Sequence, residues 1–217
     1  IAELAANGGA PMGFYTQFTE PLARQEIVRY FNFLRRHDPI FRANRSHAEV
    51  LLLFPRTQVH QGNLAPVERF KEAGKRLLDA HVLFDVLPDD LNPSRGITSY
   101  AGVINPSDAS PTATSLLEQL PKSLSRFDAP ATTRVSASIA AKGNEIALHF
   151  VNYNREEPAR KRSPGGGIKD EKPIATPSFS VQFRVPARIR PLRLDLMTPE
   201  APEPAEVRFE EADGSVR

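Results

Sequence analysis

Five apolar residues in succession, Val50 to Phe54, follow Glu49 and stop at Pro55 and Arg56. An uninterrupted run of this kind matches a strand covered on both faces, as in a parallel sheet, because a half-covered strand alternates apolar and polar positions. Downstream, Val67, Phe70, Gly74, Leu77 and Leu78 recur at helical spacing behind Pro66, and Val82 to Val86 forms a second strand-like run. Strand, helix, strand makes a βαβ unit. "SYAGVINP" (99–106) reads as a third strand, and "SPTATSLLEQLP" (110–121) as a short helix opened by Ser110 with Pro111 at its first position.

Upstream, Ile1, Leu4 and Ala5 share one face of a helix that Gly8 and Gly9 stop. "APMGFYTQF" (10–18) has the pattern of a short strand. Thr19 is placed as an N-cap, Pro21 lies in the first turn, and Leu22, Ile27, Tyr30, Phe31 and Leu34 draw an apolar stripe to about His37. Near residue 130 the period changes to two. "TRVSASIA", a turn at Lys142-Gly143-Asn144, "EIALHFVNY", "SFSVQFRV", "RPLRLDLMT" and "AEVRFE" alternate as in an antiparallel β-sandwich, and Asp213-Gly214 marks a hairpin turn. The stretch 155–177 between them is charged and rich in Gly and Pro, the composition of a long exposed loop.

Composition narrows the picture. The chain has 217 residues, 40% hydrophobic and 25% charged, enough for one large or two small cores. With 28 basic and 26 acidic residues the net charge is +2, too small a surplus to suggest a nucleic-acid partner. Cysteine is absent, which removes disulfides, thiolate metal sites and a Cys nucleophile. No apolar run approaches the roughly 18 residues of a membrane span. Ile1 is not a start methionine and three residues follow Asp213-Gly214, so the chain is expected to be cut from something longer.

The candidate chemistry is sparse. A phosphate loop after the first strand needs closely spaced Gly, Ser or Thr, and "PRTQVHQGNLA" (55–65) offers one Thr and one Gly; Arg56, His60 and Gln61 read as a polar surface loop. The histidines at 37, 47, 60, 81 and 149 lack the i, i+4 spacing of a helical zinc pair, so no metal is expected, and His149 reads as a structural histidine. There is no Gly-x-Ser-x-Gly elbow. Gly165 to Gly167 lie in the charged loop and read as a tether. Asn144-Glu145, the dipeptide that often carries the acid in sugar-cleaving barrels, here opens a hairpin strand and reads as a turn. Glu20 and Asp38 flank the long helix as cap partner and loop residue.

The order of parts resembles that of a known family. "IAELAANGGAPMGFYTQF", "TEPLARQEIVRYFNFLRRHDPIF" and "AEVLLLFPR" are similar to the exit of a catalytic (β/α)8 barrel into the flavodoxin-like trimerisation domain of β-galactosidase-like glycoside hydrolases, as in family 42. The resemblance implies an α/β plus all-β fold. Residues 1–45 would be a remnant of a (β/α)8 barrel, 46–128 a small flavodoxin-like parallel-sheet domain, and 129–217 a truncated antiparallel β-sandwich. It also implies a non-catalytic C-terminal region serving oligomer assembly and active-site walling. Catalytic carboxylates would then lie upstream, so none is assigned here, and no cofactor is implied. Carbohydrate would be met through the missing barrel, the chain would be a homo-oligomer, and neither nucleic acid nor membrane would be a partner. Tyr15, Thr16, Gln17 and Phe18 would then end the last barrel strand, of which Tyr15, Gln17 and Phe18 are the substrate-binding candidates. Two other readings stay open: a stand-alone flavodoxin-like ligand-binding module, and a purely structural oligomerisation domain.

Overall fold

In the computed structural model, which describes residues 1–10, 21–42, 44–92, 96–108, 116–140, 144–156, 173–187 and 189–217, the apolar run becomes strand β2 (Val50–Phe54). The residues preceding it form β1 (Arg45–Ser46). Two further strands, β3 (Phe84–Pro88) and β4 (Gly102–Ile104), lie parallel to β2 on either side, giving the order β3-β2-β4. Val50, Leu51 and Leu52 are fully buried, as expected for a central strand with two covered faces.

Three short helices and two longer ones accompany these strands. These are α1 (Ala2–Ala6), α2 (Pro21–Arg36), α3 (Asp38–Phe41), α4 (Arg56–His60) and α5 (Ala65–Asp79). The apolar stripe of α5 explains its seat. Phe70, Ala73 and Leu77 pack on Leu52 with Val82, Phe84 and Ile104, while Phe54 stacks edge-on against Phe70. On the opposite face, Leu51 packs with Ala48, Tyr100, Leu53 and Leu87. Alternate residues of β2 thus serve two different cores.

The remaining strands are antiparallel, in agreement with the period-two pattern. They are β5 (Arg126–Phe127), β6 (Thr133–Ile139), β7 (Ile146–Asn152), β8 (Val181–Arg184), β9 (Asp195–Leu196), β10 (Ala205–Glu206), β11 (Glu211–Ala212) and β12 (Ser215–Val216). They form the orders β1-β6-β7, β11-β12-β8-β5 and β10-β9. A core of Leu83, Phe127, Ala137 and Phe183, with Val135, Ile146, Leu148 and Val181 against it, joins β6 and β7 to β5 and β8. Leu83 reaches that core from the segment leading into β3. The β11–β12 turn holds Asp213 at φ 52° and Gly214 at φ 71°, the positive values that an Asp-Gly hairpin turn uses. The fold is therefore mixed α/β, a small parallel three-stranded sheet with helices plus antiparallel sheets.

Several local expectations need correction. Residues 56–60 are a helix and not a loop. Asp38 opens α3 and bonds Arg42 one turn on. Residues 116–119, expected in a helix, form turns. The expected strand at 10–18, apart from Ala10, lies outside the described residues, as do Ser110, Pro111, Lys142, Gly143 and Gly165 to Gly167.

Candidate functional site

In an open α/β sheet, ligands bind beyond the carboxyl ends of the strands, where neighbouring connections diverge. Here that place is formed by the end of β2 with α4, the end of β3 with Asp89 and Asp90, and the end of β4 with Asn105 to Asp108. The donors that would meet a phosphate are engaged by the chain itself. Thr57 donates both its backbone N–H (3.0 Å) and its hydroxyl (2.9 Å) to the Asp89 carboxylate, and Asp89 N–H donates to Phe54 O at 2.9 Å. The first turn of α4 is thus capped by a carboxylate 32 positions away in sequence.

Arg56 completes the closure by pairing with Asp90 at 2.6 Å, and its guanidinium holds the Asp90 carboxyl below the usual carboxylate range. Arg69 donates to Pro106 O at 2.7 Å, and Ser107 N–H donates to the Asn105 side chain at 3.1 Å. His60, the last residue of α4, and Gln61 after it are exposed. Arg56 and Thr57 are therefore gathered at the strand ends, but as partners of Asp89 and Asp90. Those two aspartates went unrecognised in the sequence; their signal was a pair of carboxylates immediately after a strand.

The second place is α2. On a helical projection Ala23, Ile27, Tyr30, Phe31 and Leu34 fall on one side and Gln25, Arg29, Asn32 and Arg36 on the other. The turn at 199–202 sits on the polar side. Arg36 donates to Pro202 O at 2.7 Å and Arg29 pairs with Glu200 at 3.5 Å and with Glu26. The groove between them, about 380 Å³, is lined by Gln25, Arg29, Asn32, Phe33 and Arg36. No residue of α2 is buried, and Leu22 and Phe31 are 68% and 45% exposed. Burial, and then the Glu200 carboxylate, push the pKa of Tyr30 above its ordinary value.

The remaining candidates resolve simply. His149 lies against the Phe41 ring, with its Nε2 3.3 Å from Ser138 Oγ, and burial lowers its pKa. Glu145 is exposed, and its carbonyl accepts Ala140 N–H across the hairpin. Among the described residues no cluster of three or more His, Asp, Glu or Cys could hold a metal, and no helix is long and apolar enough to cross a membrane. Tyr15, Gln17 and Phe18 lie outside the described residues. Comparisons with family models, with curated proteins and with solved structures returned no match.

Proposed function

We propose that this chain is the non-catalytic C-terminal region of a β-galactosidase-like glycoside hydrolase. Its parallel-sheet unit serves oligomer assembly and walls the active site, and its antiparallel sheets serve packing or accessory sugar contact. The observation that carries this reading is the orientation of α2. An amphipathic helix in a self-contained domain turns its apolar side inward. Here the polar side, with Arg29 and Arg36, meets the chain's own 199–202 turn, while on the apolar side Phe31 is 45% exposed and Ile27, Tyr30 and Leu34 are half-buried. An outer helix of a (β/α)8 barrel is built this way, apolar toward the barrel and polar toward whatever follows.

The order β3-β2-β4 adds support, since second-first-third is how a flavodoxin-like sheet begins. Catalytic carboxylates, and the sugar itself, belong on this reading to barrel strands upstream of Ile1. The engaged donors of Thr57 count against a stand-alone phosphate- or flavin-binding module.

The test is the coding sequence upstream of Ile1 together with hydrolysis of an aryl β-galactoside. About seven βα repeats with two strand-end glutamates, and activity in the longer chain only, are expected. A start codon directly at Ile1 would overturn the reading. A flavin- or nucleotide-dependent thermal shift would favour the binding module in its place. A chain monomeric both alone and joined to its upstream part would remove the assembly role.

A further inference from the structure

The groove between α2 and the 199–202 turn holds polar groups that the chain leaves partly unanswered. Arg29 is the clearest. Its Nη2 pairs with Glu26 and lies 3.5 Å from Glu200, while its Nε–H is buried and finds no acceptor among the described residues. A buried donor without an acceptor is costly, and native chains seldom keep one. Arg36 donates from Nη1 to Pro202 O at 2.7 Å and pairs with no carboxylate among the described residues. Asn32 accepts from Arg35 at 3.4 Å through Oδ1, which leaves its amide hydrogens unused. Gln25 is exposed, and its amide is bonded to nothing among the described residues.

Gln25, Arg29, Asn32 and Arg36 recur at steps of three or four, so α2 sets them in one row roughly 16 Å long. Val28, half exposed between Gln25 and Asn32, gives the row an apolar floor. The opposite wall is held by the chain itself. Ala201 N–H donates to Thr198 O at 3.3 Å and to Thr198 Oγ1 at 3.2 Å, and the rings of Pro199 and Pro202 fix their own φ. Such a wall needs no ordering when a ligand enters.

The formal charges balance, because Arg29 and Arg36 stand against Glu200 in the groove and Glu26 beside it. A surplus of positive charge would select phosphate or carboxylate. A balanced lining of donors, a carboxylate acceptor and an apolar floor suits hydroxyls, which both donate and accept, carried on a ring with an apolar face. The volume, about 380 Å³, lies in the range of small-ligand sites.

We propose that this groove is an accessory site for a neutral mono- or disaccharide. A sugar ring lies over Val28, and its hydroxyls reach the Gln25 and Asn32 amides and the Arg29 and Arg36 guanidiniums. This deepens the accessory sugar contact of the proposed function and rests on that reading. The groove is nevertheless complete within this chain and takes no residue from upstream of Ile1.

The test is titration of the whole chain with lactose, cellobiose and maltose, read by NMR at the side-chain amides of Gln25 and Asn32 and at Arg29 Nε–H, with acetate as the comparison anion. Saturable shifts at these groups are expected with at least one of the sugars and not with acetate. Gln25→Ala with Asn32→Ala, both at exposed helical positions where alanine favours the fold, is expected to weaken binding roughly tenfold or more, read at Arg29 Nε–H. Val28→Glu, which fills the floor with a longer charged chain, is expected to abolish it. No saturable shift with any of the three sugars up to about 0.1 M would overturn the site. Undiminished affinity in the double variant, or shifts with acetate in place of sugar, would overturn it as well. Failure here would leave the upstream barrel test untouched, because the groove is probed in this chain alone.

Discussion

Asp89 does for α4 what a neighbouring Ser or Asp usually does from the N-cap, although it arrives from the end of β3. Replacing it with alanine leaves Thr57 N–H and Thr57 Oγ without their acceptor. Asp89→Ala should cost about 1–2 kcal/mol in denaturant unfolding, with Asp89→Asn recovering part of the loss because an amide oxygen still accepts. At the other side of the molecule, burial holds His149 below its ordinary pKa of 6.5. A histidine whose folded pKa is depressed contributes stability above its unfolded value, and that contribution is lost as pH falls through 6.5 toward the folded value. His149→Phe, which fits the apolar contact with Phe41 but cannot take a proton, should flatten the acid limb of stability against pH in thermal melts. The same comparison explains what a single sequence could and could not reveal. His149 was legible as structural because it alternates with Leu148 and Phe150. The capping of α4 was not, because the group that stabilises the helix lies 32 residues from it and "RTQVH" carries no local start signal.

Among the elements, α5 and β2 were legible because their periodicities are strong and local: a stripe behind a proline, and a run without a polar break. The short strands β9 to β12 are two residues each, beneath the length at which alternation can be read for boundaries, and their pairing decides them. The segment 116–119 carried a helical composition yet forms turns that place Leu116 and Leu120 against the β2 face. In α5, Gly74 adds a specific opportunity. A Cβ built there would meet Leu52 Cδ2 at 3.5 Å, an ordinary contact. Gly74→Ala should therefore stabilise the chain by roughly 0.5–1 kcal/mol, the usual helix-interior difference, measured by urea unfolding. In α2 the prediction concerns packing against the upstream part. On the proposed reading, Phe31→Gln removes exposed apolar surface on the barrel-facing side without touching Arg29 or Arg36, so the longer chain that includes the upstream part should melt at a lower temperature with unchanged helical content.

At the scale of the whole molecule, the two kinds of sheet share a core through Leu83, which is 2% exposed and packs with Phe127, Ala137 and Phe183. Leu83→Ala should cost about 2–5 kcal/mol and raise amide exchange in β2 and in β6 together, because the cavity opens at the seam between them. Exchange rising in one set alone would mean that the units open independently. The mixed architecture was readable from the change of hydrophobic period near residue 130. The seam was not, since neither Leu83 nor Glu49 announces in sequence that its partners lie at Phe127, Phe183 and Ser125.

The contact between Glu49 and Ser125 has a consequence for how the chain is threaded. β1 pairs with β6 just before Glu49, and β5 pairs with β8 just after Ser125, so everything from 50 to 124 departs from and returns to nearly one point. That stretch behaves as a cartridge inserted in a turn. A short linker between residues 49 and 125 should let the outer strands re-form, provided something of leucine size is grafted to fill the socket that Leu83 vacates.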